Sequence, residues 1–175
     1  CERRFLAGLE GGHLDLPRAR AGGMVGGLFA IFVPSPGPGS DSQPQLPSLQ
    51  EAQAATLKMA SILLRIERAS GGQVRICRDA AEIRSAIAEG ALATVMHIEG
   101  AEAIDADFHM LDVLQAAGLR SIGPVWSRPN IFGHGVPFKF PSTPDTGPGL
   151  TDLGKELVRQ CNARRILIDL SHMNE

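Results

Sequence analysis

No apolar stretch in this 175-residue chain reaches the roughly 18 residues that a membrane-spanning helix needs, and the best run, Met24 to Val33, stops well short. Lys and Arg never form a run of five, and the formal charge is only −2, so there is no electrostatic footprint for nucleic acid or for a basic membrane anchor. Cysteine is scarce: Cys1, Cys77 and Cys161 share no CxxC or metal-knuckle spacing, and an odd number fits buried or incidental thiols better than a disulfide framework. No G-x-S-x-G elbow surrounds Ser171, and "GGQVR" lacks the lysine of a phosphate loop, which weakens the nucleophile and nucleotide classes. The chain opens on Cys1 rather than Met, with no signal-type apolar core after Arg3-Arg4. "RRILIDLSHMNE" ends where a βα unit would next need a covering helix. Residues 1–175 are therefore expected to form one incomplete domain cut from a longer protein.

What the chain does have is an alternation of strand-like and helix-like segments in a 43% apolar composition, enough to bury a core. Met24–Val33 is a nearly continuous apolar run, as in a strand covered on both faces, and the Pro/Gly-rich residues 34–47 after it form a loop. Ser48-Leu49-Gln50-Glu51 has the form of a capping box, opening a helix that runs to about Ser70. Val74–Cys77 is a short strand, and Asp79 with Glu82 caps a helix that stops at Gly90. Leu92–Ile98 is a buried strand with Glu99 at its C-terminal end. A helix over about 107–117 places Phe108, Leu111, Val113 and Leu114 largely on one side. Leu119–Trp126 is strand-like, Thr151 caps a further helix, and Ile166–Leu170 is the last strand, delivering Ser171 and His172. Such units favour an α/β fold with a parallel sheet, open or closed into a barrel, with function at the C-terminal ends of the strands.

That rule selects the polar residues just beyond each apolar run. His13-x-Asp15 has the spacing of a metal-ligand pair, but both side chains would have to leave an apolar strand, and the preceding "CERRFLAGLEGG" is charged and Gly-rich. A surface loop suits it better. Glu99 and His172 each stand at the mouth of a different strand, and a carboxylate with an imidazole suits zinc or a similar divalent ion. The alternative is a strand-end histidine beside a glutamate paired with an arginine. His97 shares a face with Glu99 and is either a third ligand or a core histidine held by a neighbouring carbonyl. Trp126 and Arg128 follow a third strand. They could line a pocket for a substrate carboxylate, or Trp126 could pack beneath the long loop. His109 and His134 are expected to be solvated, while Asp169, Ser171 and Asn174 are the sequence neighbours nearest to hand as supports for the metal ligands.

"MHIEGAEAID", "LRSIGPVWSRPNIFGHGVPF", "GLTDLGKELVRQCN" and "ILIDLSHMN", in this order, resemble the membrane dipeptidase (renal dipeptidase) family of zinc hydrolases, particularly its microbial branch. "HLDLPRARAGGMVGGLFAIFVPSP" looks like the family's second-strand region, so the similarity covers essentially the whole chain. The resemblance implies a partial eight-stranded βα barrel, TIM-type and of the metal-dependent hydrolase kind, with two Zn²⁺ ions and dipeptide substrates. It implies that Glu99 bridges both metals and that His172 binds one, two of five expected protein ligands. The family's H-x-D pair would lie upstream of Cys1, so His13 and Asp15 are not it, and the remaining metal and catalytic residues would lie beyond Glu175. Where well-studied animal members carry a substrate-contacting His, this chain has Trp126. The expected function is zinc-dependent dipeptide hydrolysis by the intact parent, as a monomer or homo-oligomer, with the isolated segment inactive. The alternatives are a non-catalytic barrel that binds ligands with its Trp126–Arg128 rim, or another amidohydrolase-like activity on the same scaffold.

Overall fold

The computed structural model describes residues 2–35, 46–143 and 145–174; Cys1 and most of the loop predicted over 34–47 lie outside the described residues. The chain forms a parallel sheet of β1 (Gly26–Phe32), β2 (Val74–Ile76), β3 (Leu92–Glu99), β4 (Leu119–Gly123) and β5 (Leu167–Ile168). The order is β1-β3-β4-β5, with β2 alongside the first residues of β3. Two short helices, α1 (Glu2–Ala7) and α2 (Leu16–Ala21), precede β1. The connections then carry α3 (Leu49–Ala69), α4 (Ala80–Ala88), α5 (His109–Ala117) and α6 (Asp152–Ala163).

The helix starts are written in the sequence as caps. Ser48 Oγ accepts from Glu51 N at 3.3 Å while Glu51 Oε2 accepts from Ser48 N at 2.9 Å, completing the expected capping box. Asp79 does the same for Glu82 N at 2.8 Å and Thr151 for Gly154 N at 3.0 Å. Two departures concern α5. Phe108 is its N-cap with φ +63°, and the cap bonds are instead donated by His109 N and Met110 N to the Asp105 carboxylate. Val113, expected on the inner side, is exposed.

Helices α3, α5 and α6 cover one face of the sheet, where Leu63, Leu111, Leu114 and Leu157 enclose Met96 and Ile98 of β3. Burying each such side chain contributes on the order of 1.5–3 kcal/mol, so a one-residue slip of β3 would forfeit several of them; this face sets the register. The alternate side chains of β3, His97 and Glu99, are thereby turned to the other face. The lower part of that face is covered by α4, whose Ala86 meets Cys77, Ala91 and Ala93. Beside β4 the pairing shifts: Met96 stands opposite Leu119, but His97 stands opposite Ser121, so Arg120 is the extra residue of a bulge.

The segment of His13-x-Asp15 is a loop with His13 exposed, as expected, but Asp15 departs from a surface position. Asp15 is buried as the N-cap of α2, accepting from Arg18 N at 2.8 Å and Leu9 N at 2.9 Å, with the Arg18 guanidinium at 2.6 Å. Pro17 sits in the first turn, where its missing N–H has no helical partner to lose. The next residue, Leu16, packs with Val74 and Leu92, the first residues of β2 and β3, which is the end of the sheet opposite Glu99.

Candidate metal centre

The C-terminal ends of β3, β4 and β5 bring three segments together. Glu99 is the last residue of β3, and His172 follows β5 by four positions. His172 Nε2 lies 2.9 Å from Glu99 Oε1, with both side chains partly open to solvent. The two residues singled out in the sequence therefore meet, from different strands, at one rim. Two ligands held about 2.0–2.1 Å from a tetrahedral zinc stand about 3.3 Å apart, so this N/O pair fits a divalent cation after opening by a few tenths of an ångström. His172 has φ +65°, a left-handed backbone that a histidine adopts only where its surroundings hold it. Here Val136 N donates to His172 O at 2.9 Å, and Gly135 pairs with Met173. Ser127 Oγ lies 2.9 Å from His172 Nδ1.

A second layer lies beneath. His97 is buried, with Nδ1 at 2.9 Å from Ser121 Oγ and Nε2 at 3.5 Å from Asp169 Oδ2. Burial pushes His97 below the ordinary 6.5 despite the neighbouring Asp169 and Glu99 carboxylates, which favours a neutral ring. Burial also works to raise the Asp169 carboxyl, but hydrogen bonds from Ser171 N at 3.0 Å and Ser171 Oγ at 2.8 Å, with the His97 and His172 imidazoles, hold it below the ordinary 3.8. Of the two alternatives the sequence left open for His97, the structure shows it held by neighbours, a hydroxyl and a carboxylate rather than a carbonyl. Asp169 and Ser171 thus brace the turn that carries His172. Asn174, the third expected support, instead donates to Gly147 O and Pro148 O.

Trp126 stands half-buried between Phe32 and Phe138, with ring centres 4.8 and 5.3 Å away, and 6.1 Å from the His172 ring. It forms an aromatic wall beside the candidate centre, with Phe138 largely exposed. Arg128 departs from the expectation of a guanidinium free to meet a carboxylate. Its side chain is 1% exposed, with Nε at 2.7 Å from Glu102 Oε1, Nη1 at 3.0 Å from Ser35 Oγ and Nη2 at 2.6 Å from Val33 O. Its planar face stacks on Phe32 and Trp126, at 5.6 and 5.1 Å from the ring centres. Arg128 therefore ties the segments after β1, β3 and β4 to one another. His134, expected in solvent, is half-buried, and its Nδ1 is enclosed without a hydrogen-bond partner.

Besides this pair, a trio among the described residues, Asp105, Asp107 and His109, could meet a cation, with ligand atoms within 4.8 Å of one another. Asp105, however, already caps the start of α5 with both oxygens, accepting from Asp107 N, His109 N and Met110 N, and His109 is highly exposed. Glu99 and His172 are the better fit. Sequence inspection missed Ser127, although its place directly after Trp126 at a strand end was a usable signal. It also missed Phe32, whose side chain lines the wall from β1.

The model of the family described as "Membrane dipeptidase (Peptidase family M19)" matches residues 4–175. An uncharacterized protein from the PQQ-III 3′ region of Acinetobacter calcoaceticus is 41% identical over 94% of this chain and 54% of its own length. A solved structure of the dipeptidase AC, a metallo peptidase of family M19, aligns with TM-score 0.93 and 53% identity over 99% of this chain and 51% of that one. A metallo peptidase from Rhodobacter sphaeroides, solved with a phosphinate mimic of the dipeptide L-Ala-D-Ala, aligns with TM-score 0.93 and 49% identity over 99% of this chain and 54% of that one. The chain thus spans about half the length of these relatives, and its α/β architecture is part of a TIM-type barrel.

Proposed function

This chain belongs to the membrane dipeptidase family (Peptidase family M19), and on that footing we propose that the protein hydrolyses dipeptides with zinc held in part by Glu99 and His172. The observation that carries this is the 2.9 Å approach of the Glu99 carboxylate to His172 Nε2 at the C-terminal rim, which brings together a hard oxygen and a borderline nitrogen donor. Glu99, with two carboxylate oxygens, and His172, with one ring nitrogen, would be the residues of this chain that hold the zinc. Zinc, when bound, lowers the pKa of a coordinated water and polarises the scissile carbonyl. The protein's own part is to orient and enclose. Asp169 and Ser171 hold the turn under His172, and Arg128 pins the strand-end segments so that the rim keeps its shape. Trp126, flanked by Phe32 and Phe138, lines the substrate side and excludes water from one flank. A dipeptide substrate is supported by the ligand seen in the Rhodobacter sphaeroides relative. The 175-residue segment alone, bringing these two donors, is proposed to be inactive.

The test uses the full-length protein. Dipeptide release should disappear after chelation and return on adding zinc, and Glu99→Gln should lose both turnover and bound metal. Turnover that survives complete chelation would refute the proposal.

A further inference from the structure

We propose that Ser127 is a positioning residue for His172, fixing the ring so that Nε2 and not Nδ1 faces Glu99 and the metal. This rests on His172 being a metal ligand. An imidazole offers two nitrogens and can rotate, so which one reaches an ion depends on what holds the other. Here the other is held: Ser127 Oγ is 2.9 Å from Nδ1 while Nε2 is 2.9 Å from Glu99 Oε1.

The backbone that carries the hydroxyl is fixed from both sides. On one side the carbonyl of Trp126 lies so close to Gly135 that a Cβ there would stand 1.6 Å from that oxygen, which locks the two backbones together. On the other side Arg128 is buried and tied to Glu102, Ser35 and Val33, so the Ser127 backbone has little freedom to move away from His172. A serine also suits the site chemically, because a hydroxyl both donates and accepts. With the Nε2 proton given to the Glu99 carboxylate, Nδ1 is a lone pair and Ser127 donates to it. With Nε2 turned to a cation, Nδ1 carries the proton and Ser127 Oγ accepts it. A carbonyl or carboxylate at this place would serve only the second state. The bond to Ser127 therefore persists through metal entry and loss, and the ring keeps its orientation.

Ser127→Ala, Ser127→Thr and His172→Ala in the full-length protein test this, with zinc affinity measured by competition against a chromophoric chelator and thermal unfolding followed on the metal-free forms. Ser127→Ala should weaken zinc binding by roughly 10- to 100-fold, the usual cost of losing such a support, with metal-free unfolding shifted by no more than the loss of one partly exposed hydrogen bond. Ser127→Thr, keeping a hydroxyl, should restore most of the affinity. If His172→Ala weakens binding but Ser127→Ala does not, the role of Ser127 is refuted and the metal assignment stands. If His172→Ala has no effect, the metal assignment falls and takes Ser127 with it. A Ser127→Ala loss matched by lower metal-free stability, and not rescued by threonine, would make Ser127 merely structural and overturn the proposal.

Discussion

Replacing Arg128 by methionine should unfold this protein more readily rather than weaken its grip on substrate. The guanidinium is 1% exposed and its partner Glu102 5%, so the pair is shielded from water. The substitution removes the 2.7 Å bond to Glu102 Oε1 and the donors to Ser35 Oγ and Val33 O. Glu102 Oε2 already has no partner, so the whole carboxylate would be left buried and uncompensated. Removing one member of such a pair typically costs about 3–5 kcal/mol. At about 2–4 °C per kcal/mol for a 150–250-residue domain, that is at most roughly 6–20 °C in melting temperature, and less in a longer full-length protein. The double substitution Arg128→Met with Glu102→Leu removes the stranded charge as well and should recover most of the loss, short of about 1–3 kcal/mol for the Val33 carbonyl left without a donor. Thermal and urea unfolding of the full-length wild type, both singles and the double, alongside KM for a dipeptide, decide the matter. A raised KM with wild-type stability in Arg128→Met would place the guanidinium on the substrate carboxylate and refute the anchoring role.

Two further outcomes follow from the burial and hydrogen bonding of single groups. The Asp105 carboxyl is raised by burial, but accepting from Met110 N and His109 N outweighs this and holds it below the ordinary 3.8. Its folded pKa is depressed, so its stabilisation is full above pH 3.8 and is lost as pH falls through the lower folded value. The stability gap between wild type and Asp105→Asn should therefore be widest near neutrality and shrink below pH 3.8; a gap constant down to pH 2 by urea unfolding would contradict it. Burial pushes the Cys161 thiol up to about 11, leaving it protonated and shielded. Site-resolved mass spectrometry should find Cys161 unalkylated by iodoacetamide at pH 8 in the native protein and alkylated in urea; native labelling at the rate of an exposed thiol would contradict its placement.

Local structure was legible in the residues themselves. Ser48, Asp79 and Thr151 announce their helices because a cap is a bond between near neighbours, and the apolar run of Leu92–Ile98 reads as a buried strand because alternation and burial act within one segment. Glu99 and His172 could be singled out for the same reason, each following its own apolar run. Their separation of 2.9 Å could not, because it depends on β3 and β5 lying on either side of β4. Asp15 misled in the other direction: its cap is local, but its burial comes from Leu9 and from the packing of α2 on the sheet.

By itself the sequence determined the strands, the four helices from α3 onward and which polar groups stand at strand ends, since those follow from spacing and capping over a few residues; α1 and α2, short and without an apolar period of their own, were not legible in it. Only the tertiary structure decided what those groups face. Arg128 became an internal tie because three strand ends enclose it, Ser127 reached His172 across 45 residues, and a single bulge residue, Arg120, put Ser121 rather than itself beside His97. Such contacts depend on the register and closure of separate strands, a balance struck by the whole core and written in no single stretch of chain.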